Sequence, residues 1–184
     1  QHINAGTAIA ALRAAGYGAL PAQAFEDGMR NADWPARLQR LSRGALAEIV
    51  PERAELWLDG GHNPDGGRVL AQAMADLEEK NPAPLVMIAG LLATKDARAT
   101  LGHFKGLAQM LFAVSMQNQL AARTAEEVAT LAREAGLKAE IAGSVEQALR
   151  EIASRTWPAP PRILICGSLY LAGEVLAANG TPPV

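Results

Sequence analysis

The sequence has a single cysteine, Cys166, so it offers no intrachain disulfide and no thiolate metal site. Set in the apolar run Ile163-Leu164-Ile165-Cys166, it reads as a core residue. Histidine is nearly as scarce: His2, His62 and His103 stand without ligand spacing, which argues against a metal cage built from this chain. Aromatic residues make up 4%, and no basic run is interleaved with them. With 17 Lys and Arg against 19 Asp and Glu, a net charge of −2, no nucleic-acid partner is expected. No segment approaches the roughly eighteen consecutive apolar residues of a membrane span, and the N-terminus lacks the basic-then-apolar pattern of a signal peptide. A cytoplasmic protein without a membrane partner is expected.

Familiar catalytic motifs are missing too. The closest approach to the G-x-x-x-x-G-K-[ST] phosphate loop, Gly90-Leu91-Leu92-Ala93-Thr94-Lys95, lacks the second glycine before its lysine, so nothing here grips a triphosphate alone. No G-x-G-x-x-G nicotinamide fingerprint occurs. Gly167-Ser168-Leu169-Tyr170 is not a nucleophile elbow, whose serine needs glycine two residues to either side, and no His/Asp pair is evident to activate it.

What is present is an ordinary globular composition, 49% hydrophobic and 20% charged over 184 residues. A chain of this length buries roughly two thirds of its unfolded surface and supports one medium domain with a short extra piece. The first thirty residues are alanine-rich and helical in pattern, from Ala5 to Ala15 and again from Pro21 to Met29, with Gly16 and Gly18 between. Residues 31–43 show no period and read as a connector, since Pro35 disfavours helix before it. Strands are then expected at Glu55–Leu58, Leu85–Ala89, Met110–Ser115, Ala139–Ala142 and Ile163–Cys166.

Helices fill the gaps. One follows Asn63 and Pro64, with Val69, Leu70, Ala73, Met74 and Leu77 on one face. A second runs from about Asp96 to Gly106. Capping boxes at Thr124–Glu127 and Ser144–Gln147 open two more. The first of these buries Val128, Leu131 and Ala135, the second Ala148, Leu149 and Ile152. A last helix after Gly167-Ser168 carries Leu171, Val175 and Leu176. The alternation predicts an α/β fold, a mostly parallel sheet covered by helices on both faces. The tail from Asn179 to Val184 is expected to fray.

The sequence is organised around Ala54 to Gly67, where a hydrophobic strand, Leu56-Trp57-Leu58, passes through a polar turn into a helix that starts at Asn63-Pro64. Ligands of open α/β sheets sit at the carboxyl ends of strands, so Asp59, His62 and the helix start face the expected crevice. Two readings of Asp59 fit: a carboxylate accepting from a nucleoside, or a turn carboxylate bonding local N–H groups. His62 is either an anion contact or a turn histidine with a structural bond. Ser168 caps the last helix, a role compatible with binding a carboxylate at the same helix end. Arg37 suits a phosphate met across a domain interface, or is a solvated surface arginine. Lys95 and Asp96 follow a strand on the ligand side, and Asp96 also fits as a helix opener.

Four motifs together resemble the C-terminal part of the folylpolyglutamate synthase and dihydrofolate synthase family of the Mur ligase superfamily. Gln1-His2-Ile3-Asn4-Ala5 is similar to the end of H-Q-x-x-N-A, and Trp34-Pro35-Ala36-Arg37-Leu38-Gln39 to W-P-G-R-L-Q. Leu58-Asp59-Gly60-Gly61-His62-Asn63-Pro64, the most specific, is similar to L-D-G-A-H-N-P, and Gly167-Ser168-Leu169-Tyr170 is the fourth. Ala36 stands for the usual glycine and Gly61 for the usual alanine.

The resemblance implies an ATP-dependent ligase that adds L-glutamate to dihydropteroate or folates. ATP phosphorylates the substrate carboxylate, and the glutamate amine attacks the acyl phosphate. It implies a Rossmann-like domain over 44–184, a linker over 31–43, and a short helical remnant of the central ATPase domain over 1–30. By resemblance Asn4, Arg37 and Asp59 bind ATP, and His62 and Ser168 bind glutamate. No catalytic residue and no metal ligand falls within this chain, the Mg2+ ligands belonging to the missing N-terminal ATPase domain of the same protein. A monomeric fragment that folds but does not catalyse alone is expected. The alternatives are the C-terminal domain of a UDP-MurNAc-type peptidoglycan precursor ligase, and a non-catalytic α/β module that binds a nucleotide or small acid.

Overall fold

An alanine-rich stretch without β-branched runs forms α1, His2–Ala14, which stops where Gly16 turns to φ 94°. Pro21, extended and outside the helix, then opens α2, Ala22–Arg30. The structure, a computed structural model, describes residues 2–32, 34–117 and 119–182. It divides into two compact units, one up to Trp34 and one from Pro35 on. No side chain described in the first unit is buried. The stretch 31–43 spans the division: from Pro35 onward its residues pack on the sheet, with Ala36 and Leu41 buried.

The second unit holds β1 (Gln39–Arg40), β2 (Glu55–Leu58), α3 (Pro64–Lys80), β3 (Leu85–Ala89), α4 (Ala97–Gly102) and β4 (Ala108–Ala113). It continues with α5 (Ala125–Glu134), β5 (Ala139–Ile141), α6 (Val145–Ser154), β6 (Arg162–Cys166) and α7 (Leu169–Ala178). The strands form one six-stranded sheet in the order β1-β2-β6-β3-β4-β5, parallel except for β1. The central strands β3 and β6 are buried along their whole length, as expected of strands covered on both faces.

Side chains alternate between two cores. Val86, Ile88, Phe112, Ile163 and Ile165 meet Leu149 and Ile152 of α6 and Val175 and Leu176 of α7. On the other face Met87, Leu111 and Leu164 meet Met74 of α3, Leu101 of α4 and Val128 of α5. This is the α/β architecture expected from the sequence.

Several local expectations are corrected. Val69 is 53% exposed; the buried stripe of α3 is Gly67, Leu70, Ala71 and Met74. The helix is rolled toward α4, so close that a Cβ on Gly67 would stand 2.6 Å from the Thr100 carbonyl oxygen. The helix expected to reach Gly106 ends at Gly102, where three-residue bonds such as Phe104 N–H to Leu101 O take over and Gly106 adopts φ 79°. Leu131 and Ala135 are only partly buried, and Ala129 and Ala132 fill the core of α5 instead.

Thr124 and Glu127 form the expected reciprocal box. Ser144 accepts from Gln147 N–H, but Gln147 reaches back to Gly143 N–H, one residue too far for the second half. β1 escaped a pattern reading because both its residues are polar and it is a two-residue edge strand. The tail does not fray at its start: Asn179 is 1% exposed. It bonds Leu46 N–H, Ala47 N–H, Arg43 O and Thr181 Oγ1. Pro183 and Val184 lie outside the described residues.

Candidate functional site

The topology marks one position on the carboxyl edge of the sheet. β2 and β3 lead into α3 and α4 on one face, while β6, lying between them, leads into α7 on the other. The crevice where neighbouring connections part is the expected ligand position of an open α/β sheet. The turns after β2, β3 and β6 meet there. Gly167 N–H donates to Gly61 O at 3.0 Å. Gly167 itself, at φ 110°, lies so close to the end of β3 that a Cβ would stand 2.6 Å from Gly90 O, a place only glycine fills.

Asp59 follows the last residue of β2. Its Oδ1 accepts Gly61 N–H at 2.6 Å and its Oδ2 accepts Leu38 N–H at 2.7 Å. The local-turn reading therefore describes one oxygen; the other ties down a loop 21 positions away. In that loop Gly60 N–H donates to Ala36 O at 2.8 Å and Ala36 N–H to Gln39 Oε1 at 2.9 Å. Ala36 and Leu38 both have positive φ, 57° and 46°. Left-handed backbone costs a residue with a side chain about 1–2 kcal/mol, and such strain persists only where the surroundings enforce it. Between the two, Arg37 is exposed, with no ion pair among the described residues.

His62 is half-buried, and its Nδ1 lies 3.0 Å from Gly60 O. A carbonyl only accepts, so Nδ1 carries the proton and Nε2 is left for another partner. Asn63 caps α3 by accepting Gly66 N–H at 2.8 Å, with Pro64 behind it, as expected. Ser168 caps α7 by accepting Tyr170 N–H at 3.1 Å, and it is 1% exposed. Burial pushes the Cys166 thiol up to about 12, and the charge of Asp59 adds to that; this core thiol stays protonated.

The structure thus brings Arg37, Asp59, His62 and Ser168 to one corner of the second unit through the shared turns. Asn4 belongs to the first unit, exposed on α1. Asp96 is the N-cap of α4, accepting Ala99 N–H, and Lys95 precedes it half-buried. One cation at this edge was missed. Arg123 N–H donates to Leu91 O and its Nη2 to Ala93 O, while its Nε is buried with no partner among the described residues. In sequence it reads only as the residue before a capping threonine. Among the described residues, no three His, Cys, Asp or Glu side chains stand together as a metal would need.

The family model described as dihydrofolate synthetase, C-terminal domain, matches residues 42–178. The chain belongs to this family. Over 158 residues it is 31% identical to the folylpolyglutamate synthase of Lacticaseibacillus casei, a match covering 85% of this chain and 32% of the relative. Over 173 residues it is 32% identical to the dihydrofolate synthase/folylpolyglutamate synthase of Escherichia coli K12, covering 94% and 37%. The structure of E. coli FolC in complex with DHPP and ADP superposes with a TM-score of 0.75 at 27% identity, covering 95% of this chain and 38% of that one. The chain spans about a third of the length of these two family members. Its mostly parallel, helix-flanked sheet is the fold of that C-terminal part.

Proposed function

We propose that this chain serves as the C-terminal part of an ATP-dependent ligase that joins L-glutamate to dihydropteroate, to folates or to both. The observation that carries the reading is the corner itself. An exposed arginine, a histidine whose Nε2 has no partner among the described residues and two capped helix starts converge at the switch point of a sheet that belongs to the dihydrofolate synthetase family. In the proposed arrangement residues 1–30 end the ATP-binding domain, 31–43 link the domains, and 44–184 form the glutamate-side domain of a cytoplasmic enzyme that is monomeric.

Arg37 is suited to an ATP phosphate by its exposure, its charge and its forked donors. Asn4, exposed on α1, is proposed to meet adenine, and Asp59, by resemblance a nucleoside contact, to serve ATP through the loop that its two oxygens hold. His62 Nε2 and the start of α7 at Ser168 are proposed to receive glutamate. A helix start and a nearby hydroxyl suit a carboxylate, although burial of Ser168 gives its hydroxyl first to the cap. ATP, when bound, supplies the phosphoryl group that activates the carboxyl of the acceptor substrate. The described residues hold no metal cluster, so Mg2+ is assigned to the part of the enzyme that the longer relatives carry besides this one. Contacts divided between domains let the site assemble only around bound substrates.

The test is ATP-dependent glutamate ligation. This chain alone should give none, while the full-length ligase should, with Arg37→Ala raising KM for ATP and His62→Ala raising KM for glutamate. Calorimetry separates the rival binding module. Tight binding of ATP or glutamate by the isolated chain would favour the module and overturn the ligase assignment.

A further inference from the structure

We propose that Asp59 is a positioning residue whose carboxylate holds the loop of residues 35–38 in its left-handed form and so sets where Arg37 is presented. Presentation of Arg37 to ATP rests on the ligase reading above; the hold of Asp59 on the loop does not. The two carboxylate oxygens divide their work between two segments. Oδ1 takes the Gly61 amide of its own turn at 2.6 Å, and Oδ2 takes the Leu38 amide at 2.7 Å. A second strut runs the same way, from Gly60 N–H to Ala36 O at 2.8 Å.

The residues on either side of Arg37 are the ones with positive φ. A chain free to relax would leave that region, and with it the direction of the Arg37 Cα–Cβ bond would change. No carboxylate is within ion-pair distance of Arg37 among the described residues. Its placement is set by the backbone, which Asp59 holds at Leu38 and the Gly60 strut holds at Ala36. Directing the carboxylate at amides rather than at the guanidinium also keeps the arginine charge available to an anion.

The experiment has two arms. In the 15N-labelled 184-residue chain, Asp59→Asn replaces one acceptor oxygen with a donor that opposes an amide N–H. Leu38 amide exchange should rise about tenfold or more, with Ile88 and Ile165 in the central strands unchanged. Asp59→Ser, too short to span to Leu38, serves if Asp59→Asn does not fold.

In the full-length ligase, Asp59→Asn and Arg37→Ala should each raise KM for ATP about tenfold, leave KM for glutamate within about twofold, and combine to no more than the arginine change alone. A double variant showing the product of the two effects, about a hundredfold, would mean that Asp59 acts independently of Arg37 and would overturn the proposal. Unchanged Leu38 exchange in Asp59→Ser, which unlike asparagine leaves no oxygen within reach of that amide, would overturn it as well. If Arg37→Ala leaves KM for ATP unchanged, the ATP assignment of Arg37 fails by itself, and the exchange arm still decides whether Asp59 holds the loop.

Discussion

Asn179 is the residue whose importance local sequence hides most completely. Asn-Gly-Thr-Pro-Pro looks like a loose end, yet the Asn179 amide reaches back 133 positions to Leu46 and joins the end of α7 to the segment before β2. Asn179→Ala would strand the buried Leu46 N–H and remove the bonds to Ala47 and Arg43, so it should lower unfolding free energy by about 2–4 kcal/mol in a urea titration. Arg162 makes the same point at the opposite end of the sheet. A charged residue opens a fully buried strand because Glu55 lies 2.7 Å from its Nε and Asn81 O accepts from its Nη2 at 3.0 Å.

Burial pushes the Glu55 carboxyl up, but bonds from Arg162 and Trp57 and the charges of Arg162 and Arg40 outweigh it, and the group ends below its ordinary 4.5. A lowered carboxyl stabilises fully above its unfolded value and loses that contribution as pH falls through the folded value. Wild-type stability should therefore fall more steeply between about pH 5 and about pH 3 than that of Glu55→Gln. At neutral pH the same variant, leaving Arg162 short of its main partner, should be less stable by about 3 kcal/mol. A parallel pH dependence in both would remove Glu55 from this role. Neither pairing is legible in sequence, since burial of the Arg162 charge is decided by a partner 107 positions away.

At the level of elements, the sheet was legible because β3 and β6 are nearly unbroken aliphatic runs and β2 carries Leu56-Trp57-Leu58, each with turn residues after it. The helices were legible because Asn63, Thr124, Ser144 and Ser168 cap them with their side chains. The candidate corner was legible for the same reason: a strand end, a polar turn and a capped helix are local signals. The rolled α3 was not, because its buried face follows from how closely it meets α4, and Gly67 gives no hydrophobic signal. Gly67→Ala would drive a Cβ to 2.6 Å from a backbone oxygen that cannot swing away. Despite the better helix propensity of alanine, it should lower the thermal midpoint, by about 1–3 kcal/mol in free energy. A midpoint equal to or above wild type would show that α3 can slide on α4. β1 and the left-handed loop behind it escaped notice because Ala36 and Leu38 carry no sequence mark of positive φ. A glycine at 36, as in the family motif the chain resembles, would have shown it.

For the molecule as a whole, the two units differ in what can sustain them. From Pro35 on, the chain has two cores, one on each face of a six-stranded sheet, and its longest-range polar bonds close within that unit. Up to Trp34 it has two helices of 13 and 9 residues with no buried side chain among those described. Isolated helices of that length are marginal in water. Two measurements follow. A peptide of residues 1–34 should show little helix by circular dichroism at 25 °C, and the chain from Pro35 to Val184 should unfold cooperatively within about 4 °C of the full chain, about 1–2 kcal/mol of stability at this size. A stable helical signal from the peptide, or a drop of about 10 °C on removing it, would give the first unit a structural share. The expected result instead leaves α1 and α2 without a structural share in the sheet unit, as the assignment of residues 1–30 to the ATP-binding domain, proposed above, requires.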